Sequence, residues 1–200
     1  MTIRFDDDDE EEASKGQDST SSFMEKALYE ARTILLTGDV NDKMARSVCA
    51  QLLAYSALND RPILLVVSSP GGHVESGDMI HDMIKYVRAP VNMLGAGWCA
   101  SAGALIYSAG RRERRFALPN TRFLLHEPRG GVGGQASDVE IQAREFIKMR
   151  ERLNKIFAEA TGQPIERIRK DTDRDHWMSA KEALDYGLVG KIVTSYKEIA

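Results

Sequence analysis

Two cysteines, Cys49 and Cys99, are all that 200 residues contain. That is too few for a disulfide framework and points to a reduced compartment. No apolar run reaches transmembrane length, and the longest stretches, such as ILLVV at 63–67, are strand-sized. No basic flank and apolar core follow Met1, where a secretory leader would have them; an acidic run, DDDDEEE, occupies residues 6–12 instead. Charge of one sign is also scarce in the body of the chain. Residues 1–12 hold seven of the 30 acidic side chains together with Arg4, and the remainder carries 26 basic against 23 acidic groups. Such a balance makes no field strong enough to recruit nucleic acid. These absences predict a soluble, cytoplasmic protein with neither a nucleic-acid nor a membrane partner.

What is present is a chain that can bury a core. Hydrophobic residues make up 42% and charged residues 28%, the balance of a globular protein of one domain. Residues 1–22 join the acidic block to a Ser/Thr/Gly/Gln-rich stretch. They read as a disordered acidic tail or a removable prosegment. Residues 23–200 read as the folded domain.

Within that domain apolar strands alternate with amphipathic helices. FMEKALYEA predicts a short helix and RTILLTG a strand. Asn41 or Asp42 can cap a helix to about Leu58, with Ala45, Val48, Leu52 and Leu53 at helical spacing. PILLVVSS and PVNMLGAG are continuous apolar runs, as strands of a covered sheet require. VESGDMIHDMIKYV reads as a helix between them. SAGALIYSAG is apolar nearly all round and reads as a buried helix. TRFLLH is a strand, and EPRGGVGGQ a Gly-rich loop or ribbon.

A long helix follows over about 137–160, with an apolar stripe through Ile141, Phe146, Ile147, Met149, Leu153, Ile156 and Phe157. A shorter one begins near Pro164, a favoured first-turn residue. Ser179 and Glu182 make a capping box for the last helix, which Gly187 closes. KIVTSY is a final strand. The pattern predicts an α/β fold with a mostly parallel sheet.

Chemistry could reside at a few places. Ser101 stands in GWCASAG, among small residues between a strand and a helix. A serine there is either a helix N-cap or a nucleophile beside outward-facing peptide N–H groups. Of the four histidines, His81 lies inside a helix, His73 follows a glycine turn, and His176 lies between Asp175 and Trp177. His126 ends a strand and opens the Gly-rich loop, where functional groups gather in α/β sheets. Carboxylates alternate at Asp171, Asp173 and Asp175. Where a calcium loop needs a glycine at its sixth position this stretch has His176, so no metal site is read there. SPGGH, at 69–73, lets backbone N–H groups approach a ligand or make an ordinary tight turn.

Together, SSPGGHVESG, GAGWCASAGALIYSAG, RRFALPNTRFLLHEPRGG and DTDRDHWMSAKEALDYGLVGKIV resemble, in order and spacing, the proteolytic-subunit family of the Clp ATP-dependent protease. The likeness runs from about Phe23 to Val193. It implies the Clp protease/crotonase-like fold, with flanking helices and a protruding handle over about 127–160. It implies a serine endopeptidase acting on unfolded polypeptides, with Ser101 as nucleophile, His126 as base and Asp175 as acid. It places oxyanion donors at the backbone of Gly72 and Ala102, and substrate contacts at Gly71, Gly130, Gly131 and Val132. No metal or cofactor is implied in this subunit, since ATP is used by a partner AAA+ unfoldase of the ClpX or ClpA type. Self-association into two stacked heptameric rings, a 14-mer, is implied as well. The other reading within the family is a structural or regulatory subunit of a mixed ring. Three features depart from the family's pattern: the acidic tail replaces an axial hairpin, Trp98-Cys99 precedes the serine, and His73 stands where an aliphatic residue is usual. A crotonase-type acyl-CoA enzyme would not need the Ser/His/Asp set, and for a Ser/Lys peptidase of the signal-peptidase type the sequence offers neither a membrane anchor nor a lysine in a matching motif.

Overall fold

The computed structural model describes residues 22–131 and 133–199. The expected tail at 1–22 therefore lies outside the described residues up to residue 21, and residues 22–30 are helical, called α1 below.

Among the described residues seven strands form one sheet: β1 (Thr33–Thr37), β2 (Ile63–Ser69), β3 (Val91–Ala100), β4 (Arg115–Ala117), β5 (Arg122–Leu125), β6 (His176–Ser179) and β7 (Lys191–Ile192). The order β1-β2-β3-β4-β7 is parallel throughout. The central strand β3 forks. Met93–Gly95 pairs with β4, and Trp98–Ala100 pairs with β5. β6 then adds antiparallel to β5, the one departure from the expected parallel arrangement.

Apolar side chains from both faces of the sheet meet α2 (Asp42–Leu58), α3 (Val74–Tyr86) and α4 (Ala102–Ser108) in a single core. Leu36, Leu52, Leu65, Ile80, Leu105 and Phe123 are fully enclosed there. At about 25 cal/mol per Å² of apolar area, each contributes roughly 2 kcal/mol. α2 starts where the Asn41 side chain accepts the Met44 N–H at 3.0 Å. All seven residues of α4 are buried, as its uniformly apolar sequence requires.

Several boundaries differ from the sequence expectation. β3 runs on through Ala100, so Trp98 and Cys99 belong to a strand rather than to a connection. Leu53 is exposed, because one residue on from Leu52 turns it about 100° off the core face of α2. Pro164 is the N-cap of α6 (Ile165–Thr172) and not its first helical residue. The last strand, β7, has only two residues. Ser179 and Glu182 do form the capping box of α7 (Ala180–Tyr186), and Gly187 closes it in the left-handed conformation, φ 93°.

Helix α5 (Ala136–Thr161) has 26 residues and is roughly 39 Å long. Its expected apolar stripe divides in two. Leu153 and Phe157 are buried against the head, whereas Ile141 and Ile147 are more than half exposed. The helix is therefore anchored at its C-terminal half and projects at its N-terminal half. The anchor includes a buried cation: Arg115 on β4 donates from Nη2 to Ala160 O at 2.6 Å and reaches Gly187 O at 3.4 Å. A guanidinium at the last carbonyls of α5 offsets the negative end of its dipole.

Candidate active site

The site is assembled by strand register. Ser101 follows the last residue of β3, and its N–H donates to Leu124 O on β5 at 3.0 Å. Two residues after Leu124 comes His126, just past the end of β5. Leu125 is in turn paired with His176 across the antiparallel β5–β6 ladder. Asp175, immediately before His176, therefore lies at the same edge of the sheet. Three adjacent strands thus deliver Ser101, His126 and Asp175 to one place. Ser101 and His126 line a common small cavity with Val74, Pro128, Leu153 and Phe157.

Ser101 stands in the N-cap position of α4 but makes no capping hydrogen bond with its side chain. The structure thereby decides against capping as its role. Its backbone has φ 55° and ψ −121°. It is one of two non-glycine residues with positive φ among the described residues. Such a conformation costs roughly 1–3 kcal/mol and persists only where surrounding structure enforces it. It turns the chain sharply from β3 into α4. Gly71 makes room for the turn: a Cβ on that residue would meet Ala100 O at 2.9 Å and Ala102 N at 3.1 Å.

Gly72 sits beside this turn in a parallel bridge with Val40. Val40 N–H donates to Gly71 O at 2.8 Å and His73 N–H to Val40 O at 2.9 Å. Ser69 Oγ accepts the Gly71 N–H at 3.1 Å. Among the described residues the Gly72 N–H has no such acceptor, and the Ala102 N–H opens a helix whose first donors lack intrahelical partners. Gly130 and Gly131 lie in the loop after His126. A Cβ on Gly130 would strike the Phe146 ring at 2.8 Å, whereas Gly131 faces open space. Val132 lies outside the described residues.

The imidazole of His126 is almost fully enclosed, and neither ring nitrogen has a hydrogen-bond partner. Its Nδ1 is 3.4 Å from Asp175 Oδ1. Burial holds the pKa of His126 below the usual imidazole value, the Arg129 charge lowers it further, and Asp175 and Glu127 oppose the shift. The same Asp175 Oδ1 accepts a hydrogen bond from Arg129 Nη2. Nothing in the sequence motifs signalled that contact.

The other two aspartates of DTDRD and the other three histidines make contacts elsewhere. Asp171 accepts the Tyr186 hydroxyl at 2.8 Å and pairs with Arg167. Asp173 lies at the C-cap of α6 beside Arg174. His81 is buried on α3 next to Asp82. His176 stacks near Tyr186, with ring centres 5.5 Å apart. His73 binds Ser76 Oγ through Nδ1 at 2.8 Å, and Ser76 Oγ donates to Asp42 at 2.5 Å. With its one proton given to Asp42, Ser76 Oγ accepts from His73 Nδ1, so His73 does not act as a base toward it. Among the described residues no group of three or more His, Cys, Asp or Glu side chains could hold a metal ion. None of their helices is long and apolar enough to cross a membrane.

Known proteins share this arrangement of strands. The family model described as Clp protease matches residues 15–196. The ATP-dependent Clp protease proteolytic subunit 3 of Rhizobium etli is 63% identical over 175 residues, covering 88% of this chain and 90% of the relative. Subunit 2 of Pseudomonas aeruginosa is 51% identical over 197 residues, covering 98% of each. Among solved structures, ClpP1 from Listeria monocytogenes superposes with a TM-score of 0.80 at 46% identity, covering 88% of this chain and 99% of that one. The chain belongs to the Clp protease family and is a Clp-type serine endopeptidase.

Proposed function

We propose that Ser101, His126 and Asp175 form the catalytic triad of this peptidase. The observation that carries the proposal is the register: one sheet edge collects a strained, uncapped serine, an enclosed histidine and a half-exposed carboxylate. Ser101 Oγ attacks the peptide carbonyl while His126 takes its proton. The tetrahedral oxyanion meets the N–H groups of Gly72 and Ala102, each such donor being worth roughly 3 kcal/mol. The C–N bond then breaks, the amine leaves with the proton from His126, and water hydrolyses the acyl-enzyme by the reverse proton path. Asp175 orients the imidazole and stabilises its cation. All of these groups come from the chain itself, so the reaction needs no cofactor in this subunit.

The substrate lies extended beside Gly71 and Gly130–Val132, pairing through main-chain hydrogen bonds. The projecting half of α5, with Ile141 and Ile147 exposed, is the handle through which two heptameric rings stack into a 14-mer. A groove of about 450 Å³ between α1, β1 and α2, lined by Leu28, Tyr29, Leu35 and Tyr55, would receive the AAA+ unfoldase of the ClpX or ClpA type. The assembly works in the cytoplasm, and residues 1–22 act as a tail or prosegment.

A fluorophosphonate probe tests the nucleophile. Labelling and small-peptide cleavage are expected in the wild type and absent in Ser101→Ala. Labelling that persists in the variant would sink the assignment. An assembled ring with no labelling would favour the structural-subunit reading.

A further inference from the structure

We infer that Arg129 is a positioning residue that holds the resting triad open by claiming the Asp175 oxygen that His126 needs. The inference rests on the triad proposed above. The geometry is a competition for one atom. Asp175 Oδ1 accepts from Arg129 Nη2, while the same oxygen is 3.4 Å from His126 Nδ1 without a hydrogen bond between them. A base whose Nδ1–H is unclaimed has no fixed tautomer, and a wrong tautomer costs a triad about 10⁴ in turnover.

The other charged groups around the imidazole do not take over this role. Glu127, next in the chain, is engaged by Arg150 of α5 at 3.4 Å and by Arg174 at 4.0 Å. Apart from Ser101, the residues that line the cavity with His126 are apolar, among them Val74 from the start of α3 and Leu153 and Phe157 from α5. Among the described residues, Arg129 is the cation that pairs with Asp175.

The arginine is also well placed to let go. Its side chain is 66% exposed, so its hold on Asp175 is the weak, screened kind of ion pair. It directly precedes Gly130 and Gly131, beside which the substrate strand would lie. A substrate main chain that pairs with that segment moves the backbone carrying Arg129, freeing Asp175 for His126. The site then completes itself only when occupied, which is substrate-induced assembly by exchange of one hydrogen-bond donor for another.

The test is the pH dependence of kcat/KM for a small peptide in wild type, Arg129→Gln and Arg129→Lys rings of equal sedimentation. Arg129→Gln is expected to raise kcat/KM by up to about fivefold, the factor that corresponds to the ~1 kcal/mol of an exposed pair. It is also expected to move the acid limb to higher pH, since a cation beside His126 is removed and Asp175 can engage the ring. Arg129→Lys keeps the charge and should hold the acid limb near the wild type. An unchanged or lower kcat/KM, or an acid limb that stays in place in Arg129→Gln, would overturn the inference. Ser101→Ala run alongside separates this failure from the other. If it still cleaves, the triad assignment has failed; if it is inactive and Arg129→Gln behaves as wild type, only the role of Arg129 has.

Discussion

Gly71 and Ser101 stand so close that a Cβ built on the glycine would lie 2.6 Å from the Cβ of the serine. Gly71 also has φ 105°, a conformation that side chains rarely adopt. Both facts make the glycine part of the nucleophile's support rather than a simple turn residue. Gly71→Ala is expected to reduce probe labelling of Ser101 at least about 100-fold, the scale on which lost site geometry acts, while circular dichroism still shows a folded chain. Gly72→Ala should behave similarly, because its Cβ would fall 2.3 Å from Val40 O and displace the free N–H. Labelling rates near wild type in either variant would contradict this account.

The three aspartates of DTDRD should separate cleanly by assay. Asp175→Asn is expected to cut turnover by about 10⁴ with the fold intact, because the imidazole loses the group that sets its tautomer. Asp173→Asn, at an exposed helix end, should remain within about twofold. Asp171→Ala should instead lower the melting temperature, since it leaves the Tyr186 hydroxyl without its acceptor, a loss of about 1–2 kcal/mol. Equal kinetic losses in Asp173→Asn and Asp175→Asn would remove the basis for choosing between them.

The pH profile follows from the environment of His126. A general base must be neutral, so kcat/KM rises as pH passes the imidazole pKa. Burial and the Arg129 charge hold that pKa down, so the midpoint of the acid limb is expected below about 6.5, the value for an unperturbed histidine. The stability sign agrees. A histidine whose pKa is lower when folded binds more protons when unfolded, so its contribution is present above the unfolded pKa and fades as pH falls through the folded one. An acid limb centred above about 6.5 would contradict the assignment of His126 as the base.

Assembly should depend on the outer half of α5. Sedimentation is expected to show a species far above the 22.3 kDa chain. Ile141→Glu and Ile147→Glu place charge on side chains that the head leaves uncovered, and should shift the mass toward half-assemblies without lowering the melting temperature of the subunit. A wild-type monomer at micromolar concentration, or full-size rings in the double variant, would count against α5 as the stacking element.

The alternation of apolar strands and helices was legible because parallel strands buried on both faces read as continuous runs, as ILLVV does in β2. The helix ends were legible where side chains make the caps, as with Asn41 and with Ser179 and Glu182. β6 was not legible: HWMS is four residues long, too short for a periodic signal, and stands between two helices with a connection of three residues before it. Yet β6 brings Asp175 to the site. Likewise the motif residues around Ser101 could be named, but its positive φ arises from how β3, Gly71 and α4 meet, which no local pattern carries. The Arg129 contact is long-range, across 46 positions, and a charged side chain in a Gly-rich loop gives no sign of which partner it will find. Trp98 and Cys99 follow an irregularity in β3, where Gly97 has φ 66° and the register with β2 shifts: Cys99 is fully buried, with its Sγ 3.4 Å from Val67 O, while Trp98 is part exposed and paired with Arg122.

The fork in β3 has a further meaning. Because the strand exchanges β4 for β5 partway along, the nucleophile and the base are spaced by one ladder of peptide hydrogen bonds, with no side chain between them in that link. A ladder can slip only by whole residues, about 3.3 Å at a time, and each slip turns every side chain to the opposite face. The ladder thus fixes which backbone residues stand side by side at the end of the two strands, and leaves the fine placement of the Ser101 and His126 side chains to the close contacts around them, such as that of Gly71.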